Sequence, residues 1–462
     1  MSPVLLLAVG FVIVVGGILA LRLHSFLALI LGAFAVAMLT PDAALRAYAG
    51  QRVERGEMTA KSAEKFIGKP ASARVAEEFG RTCGNLGVLI AMATIIGEAM
   101  LLSGAAEKIA STLLRWFGAA RAHWAFFSAA FFLCIPVMLD TVMYLLAPLF
   151  KALARKTGRD YLLLVMCTVA GGTITHSLVP PTPGPLFVAG ELHVPLGLMI
   201  GMGSTIGLGA ALAGVAFARW SSGHHMIAVP AEESADVSAN RTLPALWLAL
   251  LPVVLPIVLM GLDASFSDTL KKTGGWLAWL VSTIGDKDMA LTLGALAALA
   301  PLAFRGGSAK AVKSAIGDGA VILLIIGAGG AFGGVLQQTG IAAELSGRFK
   351  DIHHLALPAV FLVTFLVRTA QGSATVAMIT AAPIAKALIA AGAPFHPVYF
   401  AIAIGCGSKP FPWMNDAGFW IITRLSGLRE DQTLRTVSPM MSLQGVAGLV
   451  LTMLAAWLWP MR

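Results

Sequence analysis

The chain has 462 residues, 57% hydrophobic and only 12% charged, with a net charge of +9 and a mean hydropathy of +0.81. Soluble domains carry about 25% charged residues, so a water-facing exterior does not account for this composition and a lipid-facing one does. The basic residues lie in short loops between apolar runs, a membrane-orientation pattern that argues against nucleic acid as the partner of the positive charge.

Taken in chain order, the first apolar run, Pro3 to Leu23, is too long for a signal peptide, lacks a basic leader and is followed at once by another run. It reads as a retained helix. A span needs about 20 mostly apolar residues. On that measure ten spans are expected, at 3–23, 25–40, 83–103, 160–191, 194–218, 243–262, 288–304, 316–338, 397–423 and 438–460. Residues 41–82 are polar and of mixed charge, which suggests an amphipathic helix or a small excursion outside the membrane. Residues 220–242 hold no apolar run and read as a linker. Cys83, Cys134, Cys167 and Cys406 all sit in or beside apolar runs without a C-x-x-C pattern. They read as small hydrophobes, and neither a metal nor a cofactor is expected.

Two further apolar runs, 122–151 and 354–391, carry polar residues at their middles: Asp140 and Thr141 in the first, Arg368, Gln371, Ser373 and Thr375 in the second. A straight helix would put those groups into lipid, so each run reads as a re-entrant hairpin. The spans at 160–191 and 397–423 read as interrupted. In the segment GGTITHSLVPPTPGPLFVAG, Pro180, Pro181 and Pro183 must break the helix. Broken backbone at membrane depth persists only where it lines a cavity or is buried in protein, and its freed amides can hold an anion. The alternative is a loop at the membrane surface. The segment GCGSKPFPWMNDAGFWI repeats the pattern with Lys409, Asn415 and Asp416, and again a surface turn is the competing reading.

The order of elements occurs twice. Each half has three spans, a hairpin, an interrupted span and a final span. Asp140 and Pro180 are 40 residues apart, as are Ser373 and Trp413. The expected fold is an all-α polytopic membrane protein with two inverted repeats, 1–219 and 243–462, each holding a re-entrant hairpin and an interrupted transmembrane helix. An odd number of crossings per half makes the second repeat inverted, an architecture of secondary transporters.

Candidate substrate-binding residues are Asp140, Thr141, His176, Pro181, Thr182, Gly184, Arg368, Gln371, Gly372, Ser373, Thr375, Lys409 and Asn415. Asp140 and Asp416 are the candidates for a coupling ion, because burial can shift a carboxyl group's proton affinity. Arg368 can meet a substrate carboxylate or serve as the structural partner of an acid. His176 can titrate near neutrality or simply bond a freed carbonyl. Glu98, inside the third span, is unremarkable if it lies near the membrane surface. The run GAGGAFGGVLQQTGI lacks the strand and the GK[ST] of a nucleotide loop, so close helix packing explains it better.

The stretch IPVMLDTVMYLLAPLFKALARKTGRDYLLLVMCTVAGGTITHSLVPPTPGP resembles the gluconate permease (GntP-type) family, as do QGSATVAMITAAP and MNDAGFWIITRLSGL. Order and spacing fit along most of the chain. The resemblance implies a cytoplasmic-membrane symporter carrying gluconate, or a related sugar acid or hydroxy acid, with a proton. It points to Asp140, to His176 through Pro185, to Gly372 through Thr375, and to Asn415 and Asp416. It also implies membership of a wider ion transporter superfamily and a possible homodimer. This chain departs from the family pattern at Thr182, where relatives often carry histidine, at Pro412–Met414, and at Lys409. An added cation suits an anionic substrate.

The expected partners are thus a small organic anion, a proton or a sodium ion, and lipid. A sodium-coupled or di- or tricarboxylate carrier on the same scaffold is the alternative. An enzyme would need a motif such as H-E-x-x-H or G-x-S-x-G, and neither occurs. A channel is disfavoured because two broken repeats suit alternating access.

Overall fold

With no water to bond it, backbone inside a bilayer must pair within the chain. Every regular element among the described residues is accordingly helical. The computed structural model describes residues 1–461 apart from 55, 57, 159, 226, 228, 230–242, 274, 304–306, 342–343, 345–354 and 415.

Helices α1 (Pro3–Leu19) and α2 (Ser25–Leu39) pack as a pair. At the end of α2 the chain turns by 97° into α3 (Asp42–Glu54). Helix α3 and α4 (Ala60–Ile67) enclose a small cluster of Leu45, Ala49, Ala63 and Phe66. These two helices lie within the polar segment 41–82. Helix α5 begins at Ala71 and continues to Leu102. Its first turns look extramembrane in sequence because they are charged, yet Arg74, Glu78 and Thr82 are buried. Helix α6 (Ala105–Phe117) follows.

The first expected hairpin is α7 (Ala122–Leu133) and α8 (Leu139–Thr157). The first interrupted span is α9 (Tyr161–Leu178) and α10 (Pro183–Glu191), broken over 179–182. Pro183 opens α10 at its first turn, where a missing N–H is harmless. Helix α11 (Leu196–His224) runs into the expected linker. That linker therefore starts after His224, and most of the rest of it lies outside the described residues.

The same order returns in α12 (Leu246–Thr273), α13 (Trp276–Gly285), α14 (Lys287–Ala303) and α15 (Ser308–Gln337). The second hairpin is α16 (Ala356–Gln371) and α17 (Ala374–Ala390). The segment expected as the second interrupted span holds two short helices, α18 (Pro397–Gly407) and α19 (Ala417–Ser426), and α20 (Glu430–Leu458) follows. By length and apolarity, five helical segments among the described residues can cross a bilayer, 71–102, 161–191, 196–224, 308–337 and 430–458. Some of the other expected spans are short. Helices α1 and α2 have 17 and 15 residues, about 26 and 23 Å long, against a hydrocarbon core of about 30 Å.

The numbering shift that carries Asp140 onto Ser373 carries α5 onto α15 and α7–α11 onto α16–α20, to within about a turn. Two of these counterpart pairs, α5 with α15 and α11 with α20, pack against each other, and they do so antiparallel. Along α15, Gly319 abuts Thr94, Gly327 abuts Cys83 and Phe79, Gly330 abuts Thr82 and Gly334 abuts Glu78. Along α11 and α20, Gly209 abuts Leu451 and Gly214 abuts Gln444. The glycine-rich run expected to pack closely does so. Its Gly329 and Gly333 face Ile379 and Pro383 of α17 on a second side. Lipid is as apolar as leucine, so such close approach, rather than water exclusion, holds membrane helices together.

Candidate functional site

Helix α9 lies at the centre of the molecule. Of its residues only His176 is not buried, and the Nδ1 of that ring is enclosed without a hydrogen-bond partner. Helices α7, α11, α18 and α20 surround it. The two interrupted spans meet here. Gly405 of α18 lies against the Ser177 carbonyl with no room for a Cβ, and Lys409 Nζ donates to the Thr173 carbonyl at 2.8 Å. The Thr173 hydroxyl donates to Gln444 Oε1 at 3.4 Å, while Gln444 Nε2 donates to the Ala170 carbonyl at 2.9 Å. Gln444 was not singled out from the sequence. A glutamine in the middle of an otherwise apolar final span was the available signal.

The break at 408–416 is tied to its surroundings by hydrogen bonds, although Phe411, Trp413 and Met414 are exposed. The amide of Phe411 donates to Ser442 Oγ at 2.9 Å, and Trp413 Nε1 donates to the Thr369 carbonyl at 2.8 Å. Arg368 and Asp416 form a buried ion pair. Arg368 Nε also donates to the Ser408 carbonyl at 3.0 Å, and Asp416 Oδ1 accepts from the Gly418 amide at 2.7 Å, capping α19. Of the two roles open to Arg368, the structure displays the partner of an acid. Asn415 lies outside the described residues, as does the side chain of Gln371.

At the second hairpin, two of the expected site residues build the turn. Gly372 has φ of 81°, a left-handed conformation that glycine adopts without strain. Ser373 Oγ accepts from the Val376 amide at 3.3 Å and caps α17. The tip sits against the first break. A Cβ on Gly184 would meet Met378 and come within 3.7 Å of Thr375 Cα. Pro181 and Thr182 form the break itself, with the Thr182 hydroxyl donating to the Val179 carbonyl at 2.7 Å.

A cavity of about 380 Å³ opens beside this assembly, within the range of roughly 300–1,000 Å³ usual for small-molecule sites. Its lining includes Asp140 and Thr141 from the first hairpin and Pro181 and Thr182 from the first break. Glu98 of α5 and Asp318 of α15 complete the acidic wall. Asp318 was missed in sequence because it lies near the start of an apolar run that scores as an ordinary span. Arg368, Lys409 and Asp416 do not line this cavity. The geometry thus brings the first hairpin and first break to one chamber, and places the second break behind it.

A family model described as GntP family permease matches residues 68–458. The chain belongs to the GntP permease family. This GntP permease is 33% identical over 387 residues to a gluconate permease of Pseudomonas aeruginosa, covering 81% of this chain and 85% of that one. It is 30% identical over 393 residues to an inner membrane permease of Escherichia coli K12, covering 81% and 86%. To a D-serine transporter of the same organism it is 28% identical over 465 residues, covering 98% of each. The solved YdaH transporter of Alcanivorax borkumensis shares the fold at 14% identity, with a TM-score of 0.63 covering 87% of this chain and 90% of that one. The family resemblance read from the motifs therefore holds. This GntP permease is an all-helical, multi-pass membrane transporter and not an enzyme.

Proposed function

We propose that this permease is an inner-membrane symporter that brings gluconate, or a related sugar acid or hydroxy monocarboxylate, into the cell with a proton. The observation that carries the reading is the meeting of the two helix breaks, Lys409 on Thr173 and Gly405 on Ser177, beside a chamber lined by Asp140, Thr141 and Thr182. Broken backbone enclosed by protein supplies donors where a solute must shed water. Two inverted repeats, 1–219 and 243–462 joined by a linker within 220–242, account for the antiparallel packing of α5 on α15 and of α11 on α20. Counterpart helices related by a two-fold axis in the membrane plane cross in this sense. In this reading the hairpins are re-entrant, Asp140 takes the coupling proton, Thr141 and Thr182 in the chamber wall meet the substrate, and Lys409, which does not line the chamber, adds positive charge from behind the first break.

A second reading is favoured by the chamber's charge. Glu98, Asp140 and Asp318 line it and no basic residue does. Three carboxylates suit a cation, either sodium or the ammonium group of an amino acid, better than a bare anion. The experiment that separates the two is uptake into proteoliposomes under imposed proton or sodium gradients, with gluconate and a hydroxy amino acid as substrates. A thermal-shift screen of the purified protein against both ligand classes accompanies it. Accumulation of gluconate driven by a proton gradient alone is the expected result. Uptake indifferent to either gradient would end the symport reading.

A further inference from the structure

A set of charged residues that the substrate chamber does not use gathers at the far end of α5 and α15. Glu98 lines the chamber, and Glu78 lies toward the other end of the same helix. At the α-helical rise they are about 30 Å apart, close to the thickness of the hydrocarbon core. The chamber end holds a cavity of about 380 Å³, and the Glu78 end is narrowed to one of about 70 Å³.

What closes it is polar. Arg74 Nη1 donates to Gln338 Oε1 at 2.8 Å and Nη2 to the Ala37 carbonyl at 2.7 Å, tying α5 to the end of α15 and to α2. Gln338 Nε2 donates to Glu78 Oε1 at 3.4 Å, and Glu78 pairs with Arg81. Beside this cluster, Lys386 of α17 forms an ion pair with Glu191 of α10 at 3.0 Å, and Gln337 Nε2 reaches the Pro383 carbonyl at 3.4 Å. The second hairpin, the far arm of the first interrupted span and the α5–α15 pair therefore converge on one plug. A small cavity of about 70 Å³ abuts the ion pair, lined in part by Arg81, Asn85 and His193. It has room for more than one water.

A plug of this chemistry can part. A partly buried ion pair gains little over its hydrated ions, because the lost hydration nearly offsets the attraction. Water that enters as the groups separate returns what they lose. An apolar seal of equal area would have to expose its whole surface.

We propose that the Lys386–Glu191 ion pair, with Arg74, Glu78 and Gln338 beside it, is the gate that closes the side of the protein opposite the chamber, and that it parts when the chamber side closes. The inference rests on the transport reading above. Its test uses the full-length protein with Cys83→Ser, Lys386→Cys and Glu191→Cys, treated with a short bismaleimide. Before treatment the protein accumulates substrate. After cross-linking, verified by mass spectrometry, uptake falls at least tenfold while the thermal shift induced by gluconate remains, because the chamber stays open. Full uptake by the cross-linked protein overturns the gate. If the double cysteine variant is itself inactive, Cys83→Ser with Lys386→Cys alone is labelled with an impermeant maleimide. A several-fold change in labelling rate on adding gluconate or imposing a gradient supports the gate, and an unchanged rate overturns it. An unmodified protein that neither shifts with gluconate nor accumulates it would sink the substrate assignment instead. The response of position 386 to an imposed gradient decides the gate in that case too.

Discussion

Arg368 and Asp416 are buried together, one at the end of α16 and the other at the head of α19, and each has a second job: Arg368 Nε holds the Ser408 carbonyl and Asp416 caps α19. Removing one partner strands the other charge away from water, which destabilises by about 3–5 kcal/mol. Arg368→Met should therefore lower the melting temperature of the purified protein markedly. Asp416→Asn keeps a cap oxygen for the Gly418 amide, so combining it with Arg368→Met should recover most of that loss. A single Arg368→Met variant that melts with the parent would mean the pair is not formed in the membrane.

Asp140 sits in the first turn of α8 and lines the chamber. A carboxyl that carries the coupling proton is needed for accumulation against a gradient but not for exchange of substrate across the membrane. Asp140→Asn should lose proton-driven accumulation of gluconate by at least tenfold and retain exchange of labelled for unlabelled substrate. Loss of both together, with a normal thermal shift, would remove Asp140 from coupling and make it part of the translocation path.

The first break was legible in sequence because three prolines fall within four residues, whereas single prolines such as Pro148 and Pro383 sit inside continuous helices. Pro180, Pro181 and Pro183 stop α9, and the structure breaks over 179–182. The hairpin middles were legible because Asp140 and Arg368 have no place in lipid. Which charge answers which was not legible. Arg368 and Asp416 are 48 positions apart in the chain, and only the packing of α16 on α18 brings them together. The same limit hid the first turns of α5. Arg74 and Glu78 look solvated until Gln338, from the other half of the molecule, is seen to bond both. Gly372 and Ser373 carry a second role that the sequence did not show. Their small and hydroxyl character suggested ligand binding, and both also build the turn that joins α16 to α17.

Lys409 is buried with its Nζ on the Thr173 carbonyl, and the numbering shift that carries Asp140 onto Ser373 carries His176 onto it. Lys409→Met keeps the aliphatic stem and removes the charge. A hydrogen bond made by a charged group contributes about 1.5–3 kcal/mol, so stability should fall by that order. If the charge also draws the anion in, the thermal shift with gluconate should shrink far more than that with a neutral polyol. Equal loss for both ligands would assign Lys409 to the scaffold alone. Lys409→Arg should not rescue, because a wider guanidinium must fit an enclosed slot and overpacking costs about 1–3 kcal/mol.

The antiparallel crossing of α5 and α15 makes a quantitative demand on glycine. A Cβ at Gly330 would collide with the Thr82 side chain, and one at Gly327 would lie 2.6 Å from Cys83 Sγ and 2.7 Å from the Phe79 ring. Gly317, on the same helix, has no heavy atom within 4 Å of where its Cβ would stand. Helix propensity alone favours alanine over glycine by about 0.5–1 kcal/mol. Gly317→Ala should therefore leave the melting temperature unchanged or raise it slightly. Gly330→Ala and Gly327→Ala must push the helices apart, at about 1–3 kcal/mol each. Because the two sites lie one turn apart on a shared surface, the double variant should lose less than the sum, since a separation forced by one methyl already accommodates the other. Strict additivity, or a Gly317 variant as unstable as the Gly330 one, would show that this face of α15 does not pack on α5 as closely as the glycines require.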